Sequence, residues 1–555
     1  MITYRFGIAG SLEKILPQAE PTWLPPEHML SGMRGETVSL QIGYTVTYRH
    51  LDLLEEKLRF FIRASEHIKS HLRREALMPV RLPCYADHDQ DYLTLHPAML
   101  PDLLLPYEAG GVRPVCDQWR ALWIDLLIAP HCPAGNTTLE IGCMNQKEEV
   151  IWSERRTLRV IPCALPKQKL IHTEWFHTDC LADYYHIPVF SAVYWTAVEN
   201  YVACAVKHGV NMLLTPIFTP PLDTAIGGER TTVQLLDIAL EEHTYTFDFT
   251  KLDRWLSLCE KHGVQYFEIA HFFTQWGAKF APKVLICEHG LLTKAFGWET
   301  QATEEAYQAF LRQLIPALVR HLKAKGVLDR CYFHISDEPH LSEVETYRMA
   351  RESILPLLKG CHVIDALSSY EVYRQGVIPN PIVSNDHIHT FIEAGVEHLW
   401  TYYCCVQGQD VANRFIAMPS RRNRILGVQL YLYKIEGFLH WGFNFYNSQR
   451  SVRPIDPFAN LDADESFPAG DPFLVYPGPD YQPMESVRIM VLSEALNDLK
   501  ALERLEQLTS RLFVEALIEE EAGMKITFRA YPRSDAFLYR LRNRVNLLIE
   551  ERLPG

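Results

Sequence analysis

Paired cysteines, long apolar runs and an excess of basic charge are all missing from this sequence of 555 residues. Thirteen cysteines stand singly, apart from the neighbours Cys404 and Cys405, and neither a CxxC pair nor a combined CxxC…HxxxH pattern supports a structural zinc site. No apolar run is long enough to cross a bilayer, and the start MITYRFGIAG lacks the basic residues and apolar core of a signal peptide. These absences predict a cytoplasmic protein with reduced thiols and with neither a metal nor a membrane partner.

The excess of acidic over basic residues limits the kinds of molecule that this protein can bind. Lysine and arginine number 54 against 68 acidic residues, which gives a formal net charge of −14. Nucleic acid is excluded as a partner because phosphate binding needs a concentrated basic surface. A neutral or weakly polar small molecule fits this balance better, and self-association into a homo-oligomer remains open.

The first 165 residues predict an antiparallel β-sandwich. Short runs that alternate apolar and polar residues, such as ETVSLQIGYTV (36–46) and NTTLEIGCM (136–144), lie between Pro and Gly residues. The stretch 66–77 is also compatible with a helix. IPCALPKQKL (161–170) contains two prolines and predicts a linker, so the first domain boundary is placed at residue 165.

Residues 166–480 predict a (β/α)8 barrel, because apolar strands alternate with amphipathic helical runs. Helices are indicated at 189–209 and 304–326, each with a Lys close to a final Gly. The long segment 219–249 is expected to fold over the barrel mouth. The eight strand candidates are LIHTEWF (170–176), NMLLTPIF (211–218), VQYFEIAHF (264–272), RCYFHIS (330–336), HVIDALS (362–368), PIVSN (381–385), EHLWTYYCC (397–405) and GFLHWGFNFY (437–446).

Residues 481–555 predict one long helix near 485–509 and two shorter helices, packed on the barrel. The expected fold class is therefore multidomain, α/β plus β: a sandwich, a (β/α)8 barrel and a C-terminal helical segment.

Two adjacent acids at the end of the fourth strand are the strongest candidates for chemistry. HISDEPH places Asp337 next to Glu338 before Pro339, and catalytic residues of barrels lie at the C-terminal ends of strands. DEP is also common at a helix start, where an acid caps the first turn. The apolar run CYFHIS before the pair favours a strand end over a surface cap, so we predict that Asp337 and Glu338 are catalytic.

The other strand ends supply aromatic, amide and imidazole groups of the kinds that bind sugars. Aromatic rings stack on the apolar faces of pyranoses, while amides and carboxylates bind the hydroxyl groups. Any single aromatic here is equally compatible with packing at the barrel rim. The predicted substrate-binding residues are Trp175, His177, His271, Trp276, Asp386, Tyr402, Tyr403, Trp441 and Asn444.

The arrangement of carboxylates favours one glycosidase mechanism. Most glycosidases use two carboxylates roughly 5 to 10 Å apart on opposite sides of the sugar. The seventh strand, HLWTYYCC, has none near its end, and Asp386 is the only strong distant candidate. Adjacent acids fit better if a 2-acetamido group of the substrate is the nucleophile, with Glu338 as acid/base and Asp337 stabilising the acetamido group. Two alternatives remain open: a glycosidase that uses Asp386 as second carboxylate, and a carbohydrate-binding protein without activity.

Four segments carry a resemblance to a known family. HTEWFHTDCLADYY (172–185), TPIFTPPLDTAIGGERTTVQL (215–235), YFHISDEP (332–339) and ILGVQLYLYKIEGFLHWGFN (425–444) resemble the proteins called domain of unknown function 4091. The late GDPFLVYPG (470–478) is similar to that family's C-terminal signature. These proteins are related to family 123 of the glycoside hydrolases, the β-N-acetylgalactosaminidases, and the resemblance runs across essentially the whole chain.

The resemblance implies a retaining, substrate-assisted hydrolysis through an oxazolinium intermediate, without metal or cofactor. We expect exo-action, and endo-action remains open. Asp337 falls on the family's stabilising aspartate and Glu338 on its acid/base. The substrate implied is a carbohydrate with a terminal 2-acetamido sugar, and galacto- and gluco-configurations both remain open.

Overall fold

The computed structural model describes residues 2–48 and 57–553 and divides into two compact units. The first, here called the sheet unit, comprises Met1–Gln168, Gln409–Leu432 and Met484–Gly555. The second, the barrel unit, comprises Lys169–Gly408 and Tyr433–Pro483. The division at residue 168 lies close to the predicted boundary at 165, and the predicted domains stay a prediction in their detail.

In its described residues the sheet unit begins with nine strands in two sheets. One sheet is antiparallel, in the order β1-β3-β7-β5-β6, and the other has the order β2-β9-β8-β4. The pairing of β2 with β9 is parallel, a departure from the predicted antiparallel pattern. The stretch 66–77 is not helical, because residues 68–77 belong to β5 and residues 66 and 67 form a turn. The strands are β1 Thr3–Gly10, β2 Leu30–Arg34, β3 Thr37–Thr47, β4 Arg59–Arg63, β5 Ile68–Val80, β6 Ala98–Pro106, β7 Arg120–Ile128, β8 Gly135–Met144 and β9 Val150–Ala164.

Residues from both sheets share one apolar core. Leu40 and Ile124 of the first sheet and Ile141 and Leu158 of the second are fully buried in it. This core explains the alternation in the sequence, because only every second residue of a strand faces inward.

The barrel unit contains a nearly closed parallel sheet of nine strands. Their order is β18-β17-β14-β11-β10-β22-β21-β20-β19, and the two outermost strands are separated in the chain by Ile364 alone. Each of the eight predicted strand segments contains a strand, and the fifth is interrupted at Ile364. The strands of this sheet are β10 Ile171–Glu174, β11 Met212–Thr215, β14 Tyr266–Ile269, β17 Cys331–Phe333, β18 His362–Val363, β19 Asp365–Ala366, β20 Pro381–Ser384, β21 Trp400–Tyr402 and β22 Gly437–His440.

Helices follow most of these strands, as strand-helix alternation predicts. The second helix begins at the cap residue Ser191, whose side chain accepts a hydrogen bond from the Tyr194 amide, and it ends just before Gly209. The helices of the barrel unit are α1 Thr178–Tyr185, α2 Ala192–Lys207, α3 Thr250–His262, α4 Glu305–Ala324, α5 Val344–Ile354, α6 Tyr370–Arg374 and α7 Ile388–Glu393.

The long segment after β11 carries part of a separate small sheet. Its strands are β12 Asp237–Glu241, β13 Thr244–Asp248, β15 Val284–Glu288 and β16 Leu291–Phe296, in the order β13-β12-β15-β16. Leu222 and Asp223, near the start of the segment, line the pocket described below.

Helices from later in the chain belong to the sheet unit. They are α8 Arg421–Leu432, α9 Val487–Leu508, α10 Arg511–Ala522 and α11 Asp535–Arg552, and the short strands β23 Val475–Pro477 and β24 Pro483–Glu485 precede α9. Buried ion pairs join these helices to one another and to the sheets of the same unit: Arg424 on α8 contacts Asp498 on α9 at 2.8 Å, and Arg542 on α11 contacts Glu36, which directly precedes β3, at 2.6 Å. The expected packing of 481–555 on the barrel stays a prediction. Among the described residues, no helix has the length and apolar character needed to cross a membrane.

Candidate active site

The acidic pair, Asp337 and Glu338, lies just beyond the end of β17. The chain continues beyond the strand as His334–Ser336, and the Ser336 hydroxyl donates to the Thr274 carbonyl at 2.7 Å. The Trp276 amide donates to the Asp337 carbonyl at 3.1 Å. Glu338 has a φ of +39°, a left-handed conformation that is unfavourable for a residue with a side chain. The backbone therefore turns sharply at the acidic pair and is tied to the segment that follows β14.

Both acids line one small pocket of about 140 Å³ in the barrel unit. Five of the predicted substrate-binding residues line it with them: Trp175, His177, Trp276, Tyr402 and Trp441. The remaining lining residues are Leu222, Asp223, Gln275, Ala366, Cys404, Leu439 and Phe467. The pocket thus brings together three carboxylates, three indole rings, an imidazole and a phenol.

Four predicted substrate-binding residues lie outside this lining. His271 is buried and stacks on His334 with ring centroids 4.3 Å apart. Tyr403 is fully buried against Phe438. Asn444 donates to the His177 carbonyl at 3.0 Å and accepts from the His177 amide at 2.9 Å.

Asp386 lines a neighbouring cavity that shares Glu338 and Tyr402 with the first pocket. The structure therefore gives Asn444 a supporting position behind His177 and gives Asp386 a place on the other side of Glu338.

Sequence reasoning missed several lining residues. Gln275 stands next to the predicted Trp276, so the end of β14 carried a usable signal. Asp223 and Phe467 come from long irregular segments without a strand or helix period, and no pattern in the sequence marks them. Asp223 also has a left-handed backbone, with φ +40°, and its amide donates to Gln275 Oε1 at 2.6 Å.

The acidic pair holds protons more tightly than free carboxyl groups do. Burial and the neighbouring Glu338 carboxylate raise the pKa of Asp337 well above its usual range. Burial also raises the pKa of Glu338, although a hydrogen bond donated by the Tyr402 hydroxyl opposes this. One of these two adjacent, half-buried acids therefore keeps a proton at a pH where an exposed carboxyl would have lost it.

A charged network lies behind the pair. Burial disfavours the charged form of His334, but hydrogen bonds to Asp365 and Glu268 outweigh it and raise its pKa to about 10. The His334 Nδ1–Asp365 and Nε2–Glu268 distances are 3.0 and 2.6 Å. Glu268 also accepts a hydrogen bond from the Trp175 indole at 2.8 Å. The imidazolium is thus fixed beside Asp337, whose ionised form it favours.

His271, His334 and Asp365 come within 4.8 Å of one another, a group that could hold a metal ion. Both nitrogens of His334 already contact carboxylates, so the donor set lacks a free lone pair on that ring. These contacts fit a hydrogen-bonded network better than a metal centre.

A second network fixes His177 as a neutral ring. Burial and the Arg230 guanidinium lower the pKa of His177 to about 3. Arg230 contacts Asp179 at 2.7 Å and donates to His177 Nδ1 at 3.0 Å, so His177 Nε2 carries the proton and donates to the Trp441 carbonyl at 2.9 Å. The fixed His177 ring therefore supports the backbone of Trp441, whose indole forms part of the pocket wall.

Asp223 is the third carboxylate of the pocket. Burial raises its pKa to about 6, against the effect of a hydrogen bond from the Arg450 amide at 2.8 Å. The Asp223 carboxyl therefore changes its protonation state near pH 6.

A parallel barrel with buried acids and indole rings at its strand ends is an arrangement used by carbohydrate-cleaving enzymes. A family model described as the glycoside hydrolase 123 catalytic domain matches residues 175–505 of this chain. The match covers more than half of the chain, so the protein belongs to glycoside hydrolase family 123 and is a glycoside hydrolase.

One solved structure of the three compared has a similar fold. A family 123 glycoside hydrolase from Clostridium perfringens, studied for glycolipid glycan hydrolysis, is 14% identical with a TM-score of 0.72, and the match covers 99% of both chains. A β-glucuronidase from Parabacteroides merdae is 10% identical with a TM-score of 0.30, over 89% of this chain and 54% of that one. A family 5 mannosidase from Rhizomucor miehei is 10% identical with a TM-score of 0.32, over 63% and 96%. The TM-scores of the last two structures are too low to indicate a shared fold. Among curated proteins no sequence matches this chain.

Proposed function

We propose that this protein is a retaining, exo-acting β-N-acetylhexosaminidase of the β-N-acetylgalactosaminidase type. The 2-acetamido group of the substrate is the nucleophile, Glu338 is the acid/base and Asp337 stabilises the oxazolinium. The observation that carries the proposal is the adjacency of Asp337 and Glu338 in one pocket, because neighbouring acids cannot flank a sugar from opposite faces.

The protonation of the acidic pair suits these roles. Burial raises the pKa of both acids, and the Glu338 carboxylate raises that of Asp337 further, so in the free protein the pair retains a proton. An acetamido N–H that donates to Asp337 would stabilise its carboxylate, as the nearby His334 imidazolium does. The proton then remains on Glu338, where it is needed to protonate the leaving oxygen.

The reaction balances without an external proton donor. In the first step the acetamido oxygen attacks C1, the glycosidic bond breaks, and Glu338 gives its proton to the leaving oxygen. In the second step Glu338 takes a proton from water, which attacks C1 and opens the oxazolinium with retention.

The pocket walls support a single terminal sugar. The indoles of Trp276 and Trp441 are partly exposed to the pocket, so their rings are available to contact an apolar sugar face. A volume of about 140 Å³ suits one sugar unit and favours exo-action. His271, Tyr403 and Asn444 would then support the lining from behind.

The lining also favours a second candidate, a two-carboxylate glycosidase. Asp223 comes from a different loop than the acidic pair and lines the same pocket, so it replaces Asp386 as the better-placed second carboxylate. This enzyme would cleave sugars that lack an acetamido group.

Two variants and one substrate pair test the proposal. Glu338→Gln and Asp337→Asn should each lower kcat on a nitrophenyl 2-acetamido-β-galactoside by at least about a thousandfold, while Glu371→Gln on the surface of α6 should retain it. A thiazoline mimic of the intermediate should inhibit. Equal rates on the matching β-galactoside without the acetamido group would refute the mechanism. A 2-fluoro glycoside that labels Asp223 would establish the second candidate.

We also propose a reducing, cytoplasmic location. The sequence contains thirteen cysteines without a CxxC spacing, which fits a compartment that keeps thiols reduced. Fractionation of the native host that finds the activity outside the cytoplasm would contradict it.

A further inference from the structure

A cavity of about 1080 Å³ lies in the sheet unit, and the described residues that line it all belong to the stretch 16–121. They include Tyr44 of β3, Arg74 of β5 and Arg120 of β7, and these three strands are neighbours in the first sheet. None of the described lining residues belongs to the candidate active site. A ligand held in this cavity is therefore distinct from the terminal sugar of the substrate.

Arg74 and Arg120 are two like charges on the same face of this sheet. Arg74 pairs with Leu122 across β5 and β7, and Arg120 lies two residues before Leu122 on β7. Both arginines therefore project on the side where Leu122 joins the apolar core. Diagonal neighbours of this kind have side chains that begin roughly 7 to 8 Å apart, within reach of long residues. Two guanidinium groups at this spacing repel each other when no anion neutralises them.

The described residues offer the two arginines no acidic partner. Within this part of the chain, Arg74 Nε and Arg120 Nη1 are buried without a hydrogen-bond acceptor. Arg120 Nη2 donates to the Gln118 side-chain oxygen, a neutral acceptor, at 2.8 Å. Glu75 also lines the cavity, but it lies on the opposite face of β5, and burial raises its pKa to about 8. At neutral pH most of this carboxyl is protonated and cannot balance the charge of the arginines.

Tyr44 adds a third donor beside the arginines. It pairs directly with Arg120 across β3 and β7, it is only 4% exposed, and its hydroxyl has no hydrogen-bond partner among the described residues. Burial raises the pKa of Tyr44 well above its usual range, and the nearby Arg120 and Arg74 guanidinium groups oppose this effect. The hydroxyl thus keeps its proton at neutral pH. A buried donor without an acceptor is unfavourable, and an oxygen of a ligand would supply the acceptor.

We propose that this cavity binds an organic oxyanion, a carboxylate or a phosphate ester, whose charged group contacts Arg74, Arg120 and the Tyr44 hydroxyl. A guanidinium group matches both kinds of oxyanion, because its N–H donors form a planar fork that fits two oxygens. The oxyanion would satisfy three donors and remove the repulsion between the two arginines in one step.

The rest of the cavity lining favours a ligand with a hydrocarbon body over an inorganic ion. Leu77 and Leu100 line the same cavity. Val115 and Met99 also line it, and they are 37% and 50% exposed. Covering these apolar side chains with a hydrocarbon chain would add favourable burial to the contacts of the charged group.

The test is calorimetric titration of the full-length protein with octanoate, octyl phosphate and 1-octanol, in a buffer free of other oxyanions. At least one of the two anions should bind at a ratio of one to one and at least about tenfold more tightly than octanol, which has the same hydrocarbon body without charge. Arg74→Gln and Arg120→Gln should each weaken this binding at least about tenfold, and Tyr44→Phe should weaken it about fivefold. Arg155→Gln is the control, since Arg155 is an exposed arginine on β9 of the other sheet and does not line the cavity.

Thermal unfolding separates ligand binding from a structural role of the arginines. Because the two guanidinium groups repel each other, Arg74→Gln should leave the Tm of the ligand-free protein unchanged or raise it. The anion should raise the Tm of the wild type and have little effect on that of the variant. Neither measurement depends on the proposed catalytic function.

Three results would overturn the inference. The first is octanol binding as tightly as both anions, or no binding of either anion. The second is undiminished anion affinity in both arginine variants. The third is an anion-induced rise in Tm that is as large in Arg74→Gln as in the wild type.

Discussion

The hydrogen bond from Tyr402 to Glu338 allows a sharp test of the acid/base role. Phenylalanine at position 402 keeps the ring and removes only the hydroxyl that contacts Glu338. That hydrogen bond favours the ionised carboxylate and holds the pKa of Glu338 below the value that burial alone would give. Tyr402→Phe should therefore raise the pKa of the acidic pair.

The magnitude follows from the chemistry of the bond. A hydrogen bond to a charged group contributes about 1.5–3 kcal/mol, and one pKa unit corresponds to about 1.4 kcal/mol. The alkaline limb of the kcat/KM profile, where the pair loses the proton needed for acid catalysis, should move up by about one to two pH units. At neutral pH we expect kcat to fall about tenfold, because Glu338 loses the contact that orients it.

The assay is a pH profile of kcat/KM on a nitrophenyl 2-acetamido-β-galactoside. Ser368→Ala removes the other contact of the Tyr402 hydroxyl and should shift the limb less, while Tyr332→Phe on β17 lies outside the pocket and should leave the profile unchanged. An unshifted or downward-shifted alkaline limb in Tyr402→Phe would show that Glu338 is not the titrating acid.

Three further predictions concern the surroundings of the acidic pair. Asp223→Asn should raise KM about tenfold and leave kcat nearly unchanged. In the wild type KM should rise below about pH 6, where Asp223 becomes protonated, and this rise should be absent in the variant. A loss of kcat above about ten-thousandfold would instead identify Asp223 as a nucleophile. His177 has a folded pKa of about 3 against an unfolded value of about 6.5, so its stabilising effect is present above pH 6.5 and is lost as the pH falls toward 3, by at most roughly 5 kcal/mol. Urea unfolding at several pH values should show this decline, and His177→Asn should reduce it; an equally steep decline in that variant would contradict the assignment. Asn444→Ala removes both hydrogen bonds to the His177 backbone and should lower the free energy of unfolding by about 2–4 kcal/mol. The control Asn380→Ala loses one exposed hydrogen bond and should lower it by less than about 1 kcal/mol. Equal losses in the two variants would contradict the supporting role of Asn444.

The part of the site that lies at strand ends could be predicted from sequence. In a barrel the C-terminal strand ends meet at one face, so the apolar run before Asp337 was enough to place the acidic pair with Trp175, Tyr402 and Trp441. The alternation of apolar and polar residues likewise predicted the strands of the N-terminal sheets, because it reflects which side of a strand is buried.

The rest depended on contacts that no local pattern encodes. Asp223 reaches the pocket through a left-handed turn and the Arg450 amide, 227 positions away in the chain. The same limit explains Asp386, since the sequence placed it at a strand end but could not tell which side of Glu338 it would occupy.

The interruption of the barrel unit by residues 409–432 has a consequence for how the protein can be made. Strand β22 lies after this excursion and pairs with both β10 and β21. A fragment that ends at residue 408 would lack β22, so β10 and β21 would each have an edge with unpaired backbone groups. Such edges are sites for aggregation. During synthesis the barrel likewise lacks this strand until residue 440 has left the ribosome, and by then 409–432, a segment of the other unit, has already been made. The segments of the two units therefore alternate along the sequence, so truncating the chain at one position produces neither unit alone.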